Sequence, residues 1–207
     1  MKRIRIVLMA VGAIAFTACN SGDKSSKEND MSKMNADTTK KTKVDGTPIA
    51  EITRTFSSVD PKLAASLKSV VDHYLHIKNA LVNNSGSDAA SGGKEMAEAI
   101  VKVDKSLFTA DQKKVYDGIE GDLKENAEHI GKSSGDIGHQ REHFSMMSED
   151  MYDLVKAFGG GQTLYHDHCP MASDGKGAMW LSEAKEIKNP YFGGKMNECV
   201  KTQEVIK

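Results

Sequence analysis

The chain has 207 residues, with 28 basic against 29 acidic side chains and a formal net charge of −1. No basic cluster stands out, which argues against a nucleic-acid partner. No GxGxxG or phosphate-loop pattern occurs either, so nucleotide chemistry has no foothold.

The opening stretch, "MKRIRIVLMAVGAIAFTAC", reads as an export signal. Lys2, Arg3 and Arg5 form a basic start, an apolar run follows to Phe16, and small residues lead to Cys19. The run is short for a membrane span. The expectation is a bacterial lipoprotein signal over residues 1–18, with Cys19 lipidated and acyl chains tethering the protein to a membrane of the cell envelope. The alternative is a secreted protein cut near Ala18. Removing residues 1–18 takes three basic residues from the 28, leaving 25 against 29 acidic ones and a charge of −4. Export places the remaining thiols, Cys169 and Cys199, in an oxidising compartment.

Residues 19–46 are rich in Ser, Lys, Asp, Asn and Thr and nearly devoid of apolar side chains. Such a segment buries too little to offset its ordering entropy, so a disordered tether reaching about 30 Å is expected. Residues 47–207 then suit one domain.

Four amphipathic helices are predicted there. Asp60-Pro61 opens the first, and Leu63, Leu67, Val70, Tyr74, Ile77 and Leu81 draw one apolar seam up to Asn83. The second is placed at about 87–107, with Met96, Ile100, Val103 and Leu107 on its seam and Gly92-Gly93 weakening its first half. The third begins at Thr109, where Gln112 completes a capping box, and runs to Gly131. The fourth spans about Gly135 to Phe158 on Ile137, Gln140, Phe144, Met147, Met151 and Leu154. Short connections between four such segments predict an all-α, antiparallel four-helix bundle. The tail from Gln162 lacks a helical period. It is expected as a loop-rich appendage with short extended segments around Leu164 and Met179–Leu181, anchored by Trp180 and Tyr191-Phe192.

Several residues offer metal chemistry. On the fourth helix His139 and His143 are one turn apart and form a stripe with Met146 and Asp150. That spacing serves a helical metal pair, and serves a solvated face equally well. His73 lies at the edge of the first seam, as a boundary histidine or one looking across to that stripe. His76 faces further out. His129 stands alone and is given no role.

The tail segment "LYHDHCPMASDGKGAMWLS" is denser, with His166, His168, Cys169 and Met171 close together. On a straight strand Cys169 and Met171 share one side, and His166 and His168 the other. Met196 and Cys199 supply a second sulfur pair. Together these donors favour copper(I) or another soft ion over magnesium or calcium. The rival is a Cys169–Cys199 disulfide, closing a loop of about 30 residues and worth roughly 3–4 kcal/mol. Both remain open on spacing alone. With no Cys-x-x-Cys pair and no nucleophile–base spacing, the protein is expected to be non-catalytic.

The run "QREHFSMMSEDMYDLVKAF", followed by "LYHDHCPMA", "GAMWLSEAKEIKNPYFGGKM" and Cys199, resembles the bacterial family of domains of unknown function numbered 3347. "VVDHYLHIKNALVNNS" is similar to that family's opening, so the resemblance spans about residues 60–200. The family occurs as stand-alone exported proteins and fused to the C-terminal end of periplasmic adaptor subunits of heavy-metal efflux pumps. The resemblance implies handling of copper and related metals, with efflux components as partners. By position it points to His139 or His143, to His166, Cys169 and Met171, and to Met196 with Cys199. The chain departs from the pattern at Val200, where a glycine is expected to tighten the turn that aims Cys199.

Overall fold

The computed structural model describes residues 49–207. The signal over 1–18, Cys19 and the tether over 19–46 lie outside the described residues. Four helices, α1 (Pro61–Val82), α2 (Gly86–Val101), α3 (Ala110–Lys132) and α4 (Ile137–Phe158), pack as sequential antiparallel neighbours. A four-stranded sheet completes the fold: β1 (Ala50–Ile52), β2 (Leu164–Cys169), β3 (Ala178–Ser182) and β4 (Lys201–Ile206) in the order β1-β4-β2-β3. β1 runs parallel to β4, and the other pairings are antiparallel. Among the described residues no helix is long and apolar enough to cross a membrane.

The helix starts follow from side chains that satisfy free backbone donors. Asp60 Oδ1 accepts from Lys62 N at 2.8 Å and Leu63 N at 3.2 Å, ahead of Pro61. Thr109 and Gln112 close the capping box on α3, and Gln112 also donates to Ser58 O at 2.9 Å. Asp136 accepts from His139 N at 3.0 Å, so α4 starts at Ile137, slightly later than its glycine suggested.

The second helix ends earlier than its apolar period predicts, at Val101 rather than near 107. Asp104 accepts from Ser106 N at 2.9 Å and nucleates a separate 3-10 turn, Lys105–Leu107. A short acidic side chain bonding to the nearby backbone competes with helix continuation. Val103 still reaches the core from this linker. The glycine pair, by contrast, does not break α2. A Cβ on Gly93 would sit 2.7 Å from both Ala127 O and Gly131 N of α3, and one on Gly92 would lie 2.9 Å from Ile77 Cγ1 of α1. Both glycines let neighbouring helices approach closely, which compensates their poor propensity.

The apolar seams meet in one core that continues into the sheet through Trp180, Leu181 and Leu164. Tyr74 on α1 knits bundle to sheet. Its hydroxyl lies 2.8 Å from Ser148 Oγ of α4 and accepts from Leu181 N of β3 at 3.0 Å, while its ring stacks on Phe144. Lys78, almost wholly buried on α1, reaches Glu183 at 2.7 Å just beyond β3. The appendage carries short strands joined by loops, as expected. β2 and β3 fall where extended segments were expected; β1 and β4 were not anticipated, because "AEI" is too short and "KTQEVI" too polar to announce a strand.

Candidate metal centres

Cys169 ends β2, opposite Ala178 of β3, and is fully buried. Cys199 arrives from the loop before β4, and its Sγ lies 3.8 Å from that of Cys169. Both thiols are free. The separation is far beyond an S–S bond of about 2.05 Å. It equals the distance of about 3.8 Å between two sulfurs that each lie about 2.3 Å from one tetrahedral ion. Desolvation and the adjacent Cys169 push the Cys199 thiol above its ordinary pKa.

Local sequence places Cys199. Asn197 Oδ1 accepts from Asn189 N at 3.0 Å, its Nδ2 donates to Gly194 O at 3.0 Å, and its carbonyl accepts from Val200 N at 3.2 Å. These bonds supply the turn without a glycine at 200. Val200 packs into the core, and Cys199 still reaches Cys169.

The other tail residues differ in burial, and the Cys199 thiol donates to the Met196 carbonyl at 3.2 Å. Met171 is exposed and lines a groove of about 620 Å³ with Met146, Tyr191 and Phe192. Met196 is exposed too, in the left-handed region at φ 54°. His166 is buried with Nδ1 3.4 Å from Glu204 and its ring 4.5 Å from that of Tyr152. Burial lowers its pKa. The β2–β4 register shifts between His166 and Asp167, leaving Gln203 without a β2 partner. Thr202 and Glu204 thereby serve adjacent β2 residues on opposite faces: Thr202 donates to Asp167 at 2.6 Å, and Glu204 faces His166. His168 is half-buried, 2.8 Å from where a Cβ on Gly177 would stand. Among the described residues neither histidine joins the sulfurs in a three-donor group.

A denser set of donors lies between α3 and α4. His139, His143 and His129 present ligating nitrogens that all fall within 4.8 Å of one another. The His143 ring stacks on His129 at 4.3 Å and meets His139 edge-on at 4.5 Å. The residue set aside as solitary is the third member of the cluster. Its signal in the sequence was the hairpin: His129 stands near the end of α3 and His139 near the start of α4, so an antiparallel turn must bring them level.

The orientation of His143 is fixed. Asn126, buried on α3, donates through Nδ2 to Asp122 O at 2.9 Å, which turns its Oδ1 toward His143 Nδ1 at 2.8 Å. Nδ1 must then carry the proton, leaving the Nε2 lone pair available to an ion. Burial, with His129 and His139 close by, lowers the His143 pKa and favours this neutral form. Beside the ring lies a groove of about 390 Å³ lined by Asp122, Glu125, Met146, Glu149 and Asp150. Burial and the neighbouring Asp122, Asp153 and Glu149 raise Asp150 to about 6. Such an acidic vestibule concentrates cations near the imidazoles.

On the opposite helix pair, His73 and His76 do not look across to α4. Both turn to α2, where Glu95 lies 3.3 Å from His73 Nδ1 and 3.6 Å from His76 Nδ1.

Residues 70–163 match the family model described as "Protein of unknown function (DUF3347)". The chain carries a domain of that family. No curated protein and no solved structure matches. The matched span runs from Val70 in α1 to the end of the bundle, so it contains all the clustered histidines but stops before β2. Cys169, Met171, Met196 and Cys199 lie beyond it.

Proposed function

We propose that this DUF3347-domain protein binds a thiophilic or borderline transition-metal ion in the bacterial envelope without catalysis, copper(I) foremost. The observation that carries the proposal is the His129–His139–His143 cluster, three imidazoles converging with one oriented by Asn126. Imidazole suits copper and zinc, and magnesium or calcium poorly. The Cys169–Cys199 pair adds a soft donor set at a separation that fits one ion. Lipidation at Cys19 would hold the domain at a membrane and make it a tethered sequestering or transfer protein. Copper(I) titration of the reduced mature protein against a competing chelator tests this. His143→Ala is expected to weaken one site at least tenfold, and Cys169→Ser to weaken or remove a second. Unchanged affinity in both variants would overturn it.

The same sulfur geometry favours a second possibility, a partner-binding envelope module, efflux-associated for instance, in which Cys169 and Cys199 oxidise to a staple. Their separation needs to close by only about 2 Å to reach bonding distance. Thiol counting on metal-free, unreduced protein separates the two: no reactive thiols favours the staple, two favour ligation.

A further inference from the structure

The α1–α2 face carries a second constellation that the copper proposal does not use. His73 and His76 are three residues apart on α1, so both rings project toward α2. Asp88 and Glu95 are seven residues apart on α2 and share a face. Between them stands Gly92, where a Cβ would come within 3.4 Å of both Cγ and Nδ1 of His76. The missing side chain lets the His76 ring approach α2, with Asp88 at its Nε2 and Glu95 at its Nδ1. His76 Nε2 is 3.0 Å from Asp88 Oδ1, and the same Glu95 oxygen faces His76 Nδ1 and His73 Nδ1. One nitrogen from each imidazole and one Glu95 oxygen all fall within 4.8 Å of one another. His73 and Glu95 also line an open groove with Ser66, Ser69 and Lys102, which gives an ion a way in.

We infer that His73, His76 and Glu95 form a further metal site, separate from the imidazole cluster and the thiol pair and specific for a zinc-like divalent ion, with Asp88 orienting His76. Two imidazole nitrogens and a carboxylate oxygen suit a borderline divalent ion, and the hard carboxylate makes the set a poorer match for copper(I) than three imidazoles or two thiolates. Asp88 bonded to one ring nitrogen leaves the other to face the ion, as carboxylate–histidine–metal arrangements do. This site is built from α1 and α2, whereas the imidazole cluster is built from α3 and α4. The two are separable by mutation.

The test is zinc binding to the full mature chain in the His143→Ala background, by calorimetry with zinc chloride under reducing conditions. Glu95→Gln keeps the shape of an exposed side chain, so the fold should be retained, as circular dichroism would verify. Loss of one zinc equivalent, or a tenfold or greater weakening, in Glu95→Gln and again in His73→Ala is expected, with copper(I) affinity of the otherwise wild-type chain unchanged. Identical zinc isotherms with and without Glu95→Gln would overturn the inference, as would a parallel loss of copper(I) affinity. Neither result bears on the copper proposal, which fails only if His143→Ala and Cys169→Ser leave copper(I) binding intact.

Discussion

At the scale of single residues, the imidazole cluster depends on a group that touches no ion. Asn126 holds the His143 proton on Nδ1 because its own amide nitrogen is committed to Asp122 O. Asn126→Leu should therefore leave all three histidines present yet lower metal affinity about tenfold, while Asn126→Asp, which keeps an acceptor, should lose less. Equal losses in the two variants would contradict the orienting role. His139 and His143 were legible from their one-turn spacing. His129 was not, because its partners lie on the next helix, and only the pairing of α3 with α4 brings it into place.

At the scale of elements, glycines and one ion pair with a buried lysine decide how the layers join. Gly93→Ala should destabilise the protein by about 2 kcal/mol, because the added methyl meets the α3 backbone and overpacking outweighs better helix propensity. Gly121→Ala on α3, with open space around its Cβ, should instead stabilise by about 0.5–1 kcal/mol. Urea unfolding of the two variants checks both signs. The Lys78–Glu183 pair fastens α1 to the end of β3. Burial raises the Glu183 pKa, but bonds from Asn79 and Lys78 outweigh it and hold the carboxyl below its ordinary value. A depressed folded-state pKa stabilises above the unfolded value and is lost as pH falls through the folded one. Glu183→Gln should thus cost about 2 kcal/mol at pH 7, by leaving Lys78 buried and unpaired, and the gap from wild type should narrow as pH drops below about 4.5. A pH-independent gap would contradict this. The four helices were legible because caps and apolar spacing agree along the chain. The end of α2 was misplaced because an apolar period ran on through Val103 and Leu107 after Asp104 had captured the backbone. β1 and β4 were illegible because their pairing is long-range and their own residues lack alternation.

At the scale of the molecule, the donors separate into three places. These are imidazoles between α3 and α4, an imidazole–carboxylate group between α1 and α2, and thiols where β2 meets the loop before β4. The first two lie within the DUF3347 span and the third lies outside it. Local spacing drew attention to the Cys-Pro-Met tail, where sulfur and imidazole crowd together in sequence. Folding scatters that crowd: strand alternation and the His166–Glu204 contact take the histidines elsewhere, while Cys169 meets a residue 30 positions away. A donor set assembled by tertiary structure leaves little trace in any single motif.

The most direct test is side-chain NMR of histidine-labelled, reduced mature protein during addition of copper(I), which is diamagnetic and resolves each imidazole. Ion capture by the bundle predicts that His129, His139 and His143 shift together and saturate at the same added equivalent, with His143 coordinating through Nε2 and keeping its Nδ1 proton. Resonances of all three that stay in place while copper(I) is taken up, or that move at unrelated stoichiometries, would contradict it.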